Sequence, residues 1–423
     1  MNKTMLQPLK GFRDFYPEDM AFQRWFYNLI KEISESFGYQ EYEGPMVEPL
    51  DLYAAKSGEE LVKKQAFTWK DVSDRTLALR PEITPTLARM ITQKEGSLTF
   101  PVKWFTYGRR FRYEQPQKGR GREFFQWDID VLGSDSPESD AEIIAIAGTF
   151  YQKLGLTPAE VKIKINDRKF LQDKLTEIGI AQEKITPLFR IIDKKSKVDE
   201  KAFREMVNTE TGNADITDKV IDILNDKESY KTSDWLTKMF NILEAMNLRD
   251  YVEFDPAIVR GLDYYTRTVF ESWDVKGDFR AIWGGGRYDN LTEDIGSNQK
   301  IPGVGFALGD MVISELLKTN GKFPTLKTNT SSVLVTIFSP ELQNDALKLS
   351  LKLRLGGINT ELYSDPTSKL DKQLKYADKK GIPWVVIIGP DEKEKGIVVL
   401  KNMKTNSQET LTPEEAVAKI KTA

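Results

Sequence analysis

The stretch WFTYGRRFRYEQPQKGRGREFFQWDIDVL, residues 104–132, is the part of the sequence that decides the fold. Aromatic and β-branched residues predict a strand at each end, and the polar, glycine-containing QPQKGRG between them predicts the connecting loop. Alternation along the first strand places Arg110, Arg112 and Glu114 on one face. The stretch therefore predicts a strand–loop–strand unit that carries a row of charged side chains.

The second strand of this unit has two different faces. The apolar face, which is expected to pack into a core, carries Phe125, Trp127, Ile129 and Val131. The opposite face combines an aromatic ring, an amide and two carboxylates, on Phe124, Gln126, Asp128 and Asp130. Polar groups above a packed face favour a binding site, but an amphipathic hairpin with a solvated charged face has the same pattern. The pattern alone leaves both interpretations open.

Composition excludes several kinds of chemistry. The chain has 423 residues, 61 Lys+Arg against 64 Asp+Glu, and neither cysteine nor histidine. A disulfide, a thiolate nucleophile, a zinc ribbon, a Ser-His-Asp triad and an HExxH metalloprotease are therefore excluded. The length predicts two or three domains of about 150 residues each. Chemistry must use carboxylates, Arg, Lys, Tyr, hydroxyls, backbone groups or hydrated metal.

Charge and hydropathy give no sign of a membrane or of a globally basic surface. The net charge of -3 means that any surface for nucleic acid must be local. The sequence MNKTMLQPLKGFRDF has no apolar signal-peptide core. No apolar run approaches the roughly 18 residues of a membrane span. We therefore expect a cytoplasmic protein with no membrane association.

Periodicity outlines the rest of the chain. Helical spacing of apolar residues predicts a helix over 18–37, and residues 137–154 also favour a helix. Another helix is predicted to begin with Thr84 as its N-cap and Pro85 in the first helical position. Residues 166–250 are rich in Lys, Asp, Glu and Asn at helical spacing. This composition predicts a separate helical insertion.

Four further short motifs could contribute to a site. They are LRPEIT (79–84), RGLDYYTRTVFE (260–271), WGGGRYDNL (283–291) and GVGFALGDM (303–311). Their glycines allow close backbone approach to a ligand, but they form neither a Walker loop nor a Rossmann fingerprint. Each motif also has an ordinary explanation, as a capped loop with an ion pair, a strand with buried aromatic residues, or a Gly-rich hairpin.

In this order, the motifs resemble the histidyl-tRNA synthetase family of class II aminoacyl-tRNA synthetases, over nearly the whole chain. KGFRDFYP (10–17) is similar to the N-terminal signature of the family. GYQEYEGPMVEP (38–49) resembles motif 1, with Pro45 expected at a dimer interface, and FRYEQPQKGRGREFFQWDID (111–130) resembles motif 2. RGLDYYTRTVFE and GGGRYDNL resemble the two stretches peculiar to the histidine enzymes, and GVGFALGD stands where motif 3 belongs.

The resemblance implies an α+β fold and a domain order. The expected fold is a class II synthetase antiparallel sheet with flanking helices, a helical insertion domain and a C-terminal α/β anticodon-binding domain. The catalytic core would span 1–165 and 251–320, with the insertion domain at 166–250. The segment 318–332, rich in Pro, Gly, Thr and Asn, is expected to link the core to the anticodon-binding domain at 331–423. The resemblance also implies a homodimer.

The resemblance implies a reaction as well. ATP and histidine condense to histidyl-adenylate and pyrophosphate, and the histidyl group then moves to the 3′ end of tRNA(His). Attack on the α-phosphate mainly requires positioned reactants and neutralised charge. Mg²⁺ is expected on the outer phosphates of ATP, with no protein ligand assigned to it.

Individual roles follow from the same resemblance. The expected catalytic residues are Arg112, on the α-phosphate and the histidine carboxylate, and Arg260, a second cation on the α-phosphate. The residues expected to bind histidine are Glu82, Thr84, Arg112, Gln126, Asp130, Arg260, Tyr264 and Tyr265. The residues expected to bind ATP are Arg112, Glu114 and Phe124, whose ring would stack on adenine. The loop residues expected near the tRNA acceptor end are Gln117, Lys118 and Arg120.

The expected imidazole recognition needs no histidine in the enzyme. A neutral imidazole has one N–H donor and one bare nitrogen acceptor. The resemblance assigns its recognition to the Asp130 carboxylate, which would accept the N–H, and to the Tyr265 hydroxyl, which would donate to the nitrogen. Sites of this kind can discriminate by about 10⁴–10⁵, because a wrong side chain leaves buried groups unpaired.

The chain departs from the family pattern at three places. Gln115 stands where the family has an arginine that contacts the acceptor end, so the resemblance does not imply that contact with the tRNA terminus here. Asp130 stands where many members have the longer Glu. GFALGDMVI lacks the arginine that usually clamps ATP in motif 3, which leaves nucleotide affinity open.

Three rival functions were weighed against this one. The regulatory paralogue that partners ATP phosphoribosyltransferase typically lacks the C-terminal domain and degrades RGLDYY, and this chain has both. A class II synthetase for threonine, proline or glycine is disfavoured by RGLDYY followed by GGGRYD. A bare RNA-binding module is disfavoured by the net charge of -3.

The absence of histidine itself suggests a hypothesis. Tyr113 and Phe125 stand where relatives often place histidines. A synthetase without histidine could be translated while its own product is scarce, whereas compositional drift is the simpler explanation.

Overall fold

The computed structural model describes residues 6–54, 64–261, 264–279 and 281–422. Leu262 and Asp263 of the RGLDYY motif lie outside the described residues. Two compact units are present: the chain up to Phe15 together with Gln23–Pro324, and Tyr16–Phe22 together with Thr325–Ala423. Among the described residues, no helix has the length and apolar character to cross a membrane.

The first unit is built on an eight-stranded sheet and a smaller three-stranded one. Its strands are β1 (Gln40–Glu41), β2 (Val47–Pro49), β3 (Phe67–Lys70), β4 (Thr76–Leu79), β5 (Val102–Phe111), β6 (Glu123–Leu132), β7 (Val161–Asp167), β8 (Val252–Phe254), β9 (Thr268–Asp274), β10 (Trp283–Tyr288) and β11 (Gly303–Gly309). Its helices are α1 (Pro17–Ser36, whose first turn is grouped with the second unit), α2 (Leu50–Ala54), α3 (Thr84–Lys94), α4 (Pro137–Lys153), α5 (Arg168–Glu177), α6 (Gln182–Ile192), α7 (Glu200–Thr211), α8 (Ala214–Asn225), α9 (Asp234–Ala245), α10 (Leu291–Asp294) and α11 (Asp310–Thr319).

The large sheet has the order β1-β5-β6-β11-β10-β9-β7-β8. Every pairing from β5 to β7 is antiparallel, whereas the two edge pairs, β1 with β5 and β7 with β8, are parallel. The predicted strand–loop–strand unit is the pair β5–β6, in which Arg110 faces Phe124. Residues from motifs far apart in the chain therefore lie side by side at the centre of the sheet.

The apolar face of β6 packs as predicted. Trp127, Ile129 and Val131 are buried, and the Trp127 ring lies 5.6 Å from the ring of Phe150 on α4 and 4.9 Å from that of Phe306 on β11. Burial of such aromatic rings contributes about 1.5–3 kcal/mol each. This packing fixes β6, so the opposite face is held in a constant position.

One sequence prediction about a helix end is wrong. Helix α3 begins at Thr84, its N-cap is Ile83, and no side chain caps it. Thr84 is thus the first helical residue rather than the cap, and its side chain lines a cavity described below. A threonine beside a proline is a good capping signal, but the Thr84 side chain lies beside Tyr264 in the cavity and is not directed at the end of the helix.

Within the predicted insertion at 166–250, the chain forms helices α5 to α9 between Arg168 and Ala245, in agreement with its periodicity. Short polar side chains cap four of the helices: Asp167, Asp199, Asn213 and Ser233. Apolar faces of α5 to α8 share a single hydrophobic cluster. These caps and faces explain why a segment so rich in polar residues is helical and packed.

Helix α9 joins this helical segment to the sheet. The Trp235 indole N–H donates to Asp140 Oδ2 at 3.1 Å and to Thr268 Oγ1 at 3.0 Å. The Asp140 carboxylate also accepts from Arg287 Nη2 at 2.7 Å, and both side chains are fully buried. A buried ion pair with this many hydrogen bonds ties α4, α9, β9 and β10 together.

The second unit is a five-stranded mixed sheet with helices. Its strands are β12 (Val333–Val335), β13 (Thr360–Leu362), β14 (Trp384–Ile387), β15 (Val398–Asn402) and β16 (Gln408–Leu411), in the order β13-β12-β14-β15-β16. Its helices are α12 (Gln343–Leu355), α13 (Leu370–Lys379), α14 (Pro390–Lys395) and α15 (Pro413–Thr422). The chain before it, residues 320–332, has no helix or strand.

Candidate active site

A cavity of about 440 Å³ lies over the polar face of β6 in the first unit. Its lining includes nearly all of the residues that the sequence analysis singled out: Glu82, Thr84, Arg112, Glu114, Arg120, Phe124, Gln126, Asp130, Arg260, Tyr264 and Tyr265. Gln117 and Lys118 are exposed and do not line it. The Lys118 ammonium instead lies 4.9 Å from the centre of the Phe279 ring. The strand–loop–strand stretch and all four of the further motifs thus contribute to one cavity.

Glycines form the floor of this cavity. Asp130 on β6 lies opposite Gly305 on β11, which lies opposite Gly286 on β10. A Cβ at Gly305 would lie 2.0 Å from Asp130 Oδ1, and one at Gly286 would lie 2.8 Å from the Tyr265 ring. Since real Cβ atoms do not approach this closely, only glycine lets these side chains lie flat on the sheet.

Arg260 is held in an unusual conformation at one end of the cavity. Its φ is +57°, in the left-handed region, which costs a residue with a side chain about 1–3 kcal/mol. Its Nη1 is 2.5 Å from Glu271 Oε1, and a Cβ at Gly284 would lie 2.1 Å from that nitrogen. Burial disfavours the charged guanidinium, but the Glu271 carboxylate together with Tyr265 and Tyr264 outweighs burial and raises the pKa of Arg260. A permanent positive charge is therefore kept at a defined point.

A second arginine lies beside an aromatic ring. The Arg112 guanidinium carbon is 5.5 Å from the centre of the Phe124 ring, and its Nε donates to the Pro81 carbonyl at 2.9 Å. Arg120 pairs with Glu114 at 3.1 Å in the adjoining loop. This end of the cavity, which we call the cationic end (Arg112, Arg120, Phe124 and Arg260), combines positive charge with an aromatic face.

The other end of the cavity is built from buried tyrosines and carboxylates. We call it the tyrosine end; its residues are Glu82, Gln126, Asp130, Tyr264, Tyr265 and Tyr288. The Tyr264 hydroxyl donates to Glu82 Oε2 at 3.1 Å, and the rings of Tyr264 and Tyr265 meet edge to face at 5.0 Å. Burial raises the pKa of both phenols, so they stay neutral hydrogen-bonding groups.

The carboxyl group of Asp130, at this end, has a strongly raised pKa. Burial raises its pKa to about 8; the hydrogen bond from Tyr288 lowers the pKa and the nearby Asp128 carboxylate raises it. The Tyr288 hydroxyl donates to Asp130 Oδ1 at 2.7 Å. A carboxyl group with a pKa near neutrality in a cavity is typical of a functional site.

The predicted charged row is not solvated. Arg110 is fully buried and its Nη2 donates to Asp128 Oδ2 at 2.7 Å, whereas Arg112 and Glu114 line the cavity. Arg80 of the LRPEIT motif is likewise buried, with its Nε donating to the Arg109 carbonyl at 2.9 Å. Arg110 and Arg80 are therefore buried, hydrogen-bonded side chains next to the site. A hairpin with a solvated charged face is the wrong interpretation of this pattern.

The motif 3 region takes a different role from the one a clamping arginine would have. Asp310 accepts hydrogen bonds from Arg13 Nη2 at 3.0 Å, from Gln23 Nε2 at 2.8 Å and from the Phe125 N–H at 3.0 Å. Val312, in the first turn of α11, lines the cavity and lies against the loop at Gly119. The start of α11 thus ties the N-terminal signature to β6.

Two residues of the site received no role from the sequence. Glu271 pairs with Arg260 and Tyr288 with Asp130, and both line the cavity. Each lies within a quoted motif, so the motif itself was the only signal. Among the described residues, no three Asp, Glu, His or Cys side chains gather as a metal site.

Comparison with known proteins identifies the family. The family model described as "Histidyl-tRNA synthetase" matches residues 11–311, and the one described as "Anticodon binding domain" matches residues 332–423. The histidine--tRNA ligase of Leptospira biflexa is 36% identical over 435 residues, covering 99% of this chain and 98% of the relative. That of Pyrococcus horikoshii is 34% identical over 436 residues, covering 99% of each.

A solved structure agrees with these relatives. The crystal structure of histidyl-tRNA synthetase from Nostoc sp. PCC 7120 superposes with a TM-score of 0.79, at 29% identity and 98% coverage of both chains. The resemblance drawn from the motifs and the α+β class with a C-terminal sheet domain are both confirmed. The chain belongs to the histidyl-tRNA synthetase family, the aminoacyl-tRNA ligases that charge tRNA(His) with histidine.

Proposed function

We propose that the cavity over β6 is where histidine and ATP are joined as histidyl-adenylate, before the histidyl group moves to the 3′ end of tRNA(His). The observation that carries this assignment is the division of one cavity into a cationic end and a tyrosine end. ATP and the histidine carboxylate are anionic and need the cationic end, and the neutral imidazole needs the hydrogen-bonding groups of the tyrosine end.

The tyrosine end binds histidine in this proposal. Asp130 accepts the imidazole N–H and the Tyr265 hydroxyl donates to the other ring nitrogen, with Tyr264 beside them. Glu82, Thr84 and Gln126 hold the ammonium group. All six line the cavity, and all except Thr84 are buried. Desolvated partners of this kind make a wrong side chain costly, because it leaves them unpaired.

The cationic end binds ATP. Phe124 stacks on adenine and Glu114 lies beside the nucleotide, while Arg112 holds the α-phosphate and the histidine carboxylate. Arg260 is a second cation on the α-phosphate and neutralises the charge that develops as the carboxylate attacks it. The permanent charge of Arg260, paired with Glu271, supports this role.

Mg²⁺ fits this end as a companion of ATP. Mg²⁺ is usually bound through one or two carboxylates together with substrate phosphates and water. Two carboxylates of the cavity lining could supply oxygen ligands: Glu114, which pairs with Arg120, and Glu271, which pairs with Arg260. These two residues would hold the ion. When bound, Mg²⁺ would neutralise the outer phosphates that leave as pyrophosphate.

The remaining assignments concern partners. The loop residues Gln117, Lys118 and Arg120 are proposed to meet the acceptor end of the tRNA, and residues 331–423 its anticodon. A homodimer is proposed with Pro45 at its interface; the neighbouring Met46 and Val47 have exposed fractions of 48% and 39%, which supports a contact surface there. The proposed location is the cytoplasm, and the proposed domain divisions are those at 1–165, 166–250, 251–320 and 331–423.

A pair of variants tests the division of roles. ATP–pyrophosphate exchange is measured with the Asp130→Asn and Phe124→Ala proteins. Asp130→Asn should raise the KM for histidine and leave the KM for ATP within twofold, and Phe124→Ala should do the reverse. Equal effects of each variant on both substrates would contradict the assignment of the two ends.

A further inference from the structure

Tyr288 stands at the end of β10, beyond the glycines of the GGGRYD motif. It lies opposite Gly303 on β11 in the strand register, and it is buried. A Cβ at Gly303 would lie 2.5 Å from Cε2 of the Tyr288 ring, so the ring rests directly on the backbone of β11. This close approach carries the hydroxyl across β11 toward β6.

The Tyr288 hydroxyl forms a hydrogen bond with one carboxyl oxygen of Asp130, and the other oxygen is not bonded by it. Tyr288 donates to Asp130 Oδ1 at 2.7 Å. Asp130 Oδ2 is buried, and within the described part of the chain it has no hydrogen-bond partner. Since Asp130 lines the cavity, its carboxyl group has one oxygen fixed by the protein and one available to a ligand.

We propose that Tyr288 is a positioning residue for imidazole recognition: its hydroxyl holds the Asp130 carboxyl so that Oδ2 accepts the N–H of the substrate ring. The proposal rests on the proposed role of Asp130. Without the hydroxyl, the short Asp130 side chain can turn its carboxyl group, and either oxygen can face away from the substrate. Selectivity for an N–H donor then falls, because a buried acceptor is no longer held at one point.

The ionisable groups around Asp130 come from several elements. They are Asp128 on β6, Arg110 on β5, Tyr288 on β10, Tyr265 before β9, and Tyr39 and Tyr42 around β1. Burial raises the pKa of Asp130 to about 8, Asp128 also raises it, and Tyr288 and Arg110 lower it. Removal of the Tyr288 hydroxyl should therefore raise this pKa further, as no other group changes.

The test compares Tyr288→Phe with Tyr251→Phe. Both variants keep the ring and remove a buried hydroxyl that makes a 2.7 Å hydrogen bond, to Asp130 in one case and to the Leu156 carbonyl in the other. In ATP–pyrophosphate exchange, Tyr288→Phe should raise the histidine KM about tenfold or more, with kcat and the ATP KM within twofold. Tyr251→Phe should leave all three unchanged.

The pH profile separates positioning from packing. If the carboxylate of Asp130 accepts the N–H, kcat/KM for histidine rises with pH through the pKa of Asp130 in the free enzyme. In Tyr288→Phe this limb should move to higher pH, and in Tyr251→Phe it should not. A histidine KM and a pH limb that both match the wild type would overturn the proposal.

A second variant covers the case in which Tyr288→Phe does not fold. Gly303→Ala retains the hydroxyl but displaces the ring, and it should give the same rise in histidine KM; a wild-type KM in that variant would count against the proposal. Failure of the wider assignment looks different. It would appear as Asp130→Asn having an unchanged histidine KM, whereas failure of the Tyr288 proposal alone leaves the Asp130→Asn effect intact.

Discussion

The two ends of the cavity are built in different ways. The tyrosine end contains two buried pairs of side chains, and each pair is joined by a hydrogen bond: Tyr264 with Glu82, and Tyr288 with Asp130. At the cationic end, Arg112 and Phe124 are half-buried and Arg120 is exposed. Arg112 contacts the Phe124 ring and the Pro81 carbonyl, and Arg120 pairs with Glu114; only Arg260, paired with Glu271, is held as firmly as the tyrosine end. Under the proposed roles, selection of the amino acid depends on a fixed geometry, whereas the contacts of Arg112, Arg120 and Phe124 with the nucleotide can adjust to it.

The largest effect is expected from Arg260, the fixed member of the cationic end. Arg260→Ala removes a positioned charge at the α-phosphate and should lower kcat by about 10²–10³, with a histidine KM within a few-fold of the wild type. Pre-steady-state formation of the adenylate measures this directly. Arg204→Ala is the matched control: it removes an arginine that pairs with Asp218 in the helical segment, and it should leave kcat and the histidine KM unchanged. An unaltered rate would remove Arg260 from its role.

The glycine floor predicts a somewhat smaller effect. In Gly284→Ala the new Cβ would lie 2.1 Å from Arg260 Nη1, so the guanidinium must move. A displacement of about 1 Å can cost about 10²-fold, and we expect a fall in kcat of about 10- to 100-fold. Gly96→Ala, where no atom lies within 4 Å of the new Cβ, is the control. If Gly284→Ala has wild-type kcat, the fixed position of Arg260 is not needed for catalysis.

Loss of the aromatic face should act on nucleotide binding alone. Stacking of a base on an aromatic side chain contributes about 1–3 kcal/mol, so Phe124→Ala should raise the ATP KM about tenfold. Titration of ATP at saturating histidine gives this value. Phe323→Ala removes a ring with an exposed fraction of 36% outside the cavity lining and should have no effect. A larger change in the histidine KM than in the ATP KM would contradict the assignment of Phe124 to the nucleotide.

The smallest effect is expected from pH. Because the pKa of Asp130 is about 8, much of this carboxyl group is protonated at pH 7 in the free protein. As the pH rises from 7 to 8.5, more of the accepting carboxylate is present, and kcat/KM for histidine should increase a few-fold. The ATP dependence should change less, since the raised pKa of Arg260 keeps that guanidinium charged over this range. A histidine dependence that is flat over this interval would show that Asp130 does not titrate there.

Local patterns were enough to predict part of this architecture. Alternation in residues 104–132 correctly separated the face of Trp127 and Ile129, which is buried against α4, from the face of Phe124 and Asp130, which lines the cavity. This worked because the side chains of a strand alternate whatever its neighbours are. The fold class needed the motif resemblance in addition, since periodicity does not specify strand order.

Contacts between distant strands could not be predicted. The Tyr288–Asp130 hydrogen bond joins residues 158 positions apart, and the burial of Arg110 depends on Asp128 on the next strand. The predicted N-cap at Thr84 was wrong because its side chain lies in the cavity beside Tyr264, a residue distant in the sequence. The positions at which glycine is required, such as Gly284 and Gly305, became evident only once the facing side chains were known.

Histidine-dependent exchange of pyrophosphate into ATP by the wild-type protein tests the central claim most directly. Each of the 20 amino acids is supplied in turn with ATP and Mg²⁺. We predict exchange with histidine alone, because only an imidazole pairs with both Asp130 and Tyr265. Exchange that is absent at saturating histidine, or that another amino acid drives equally well, would contradict the account.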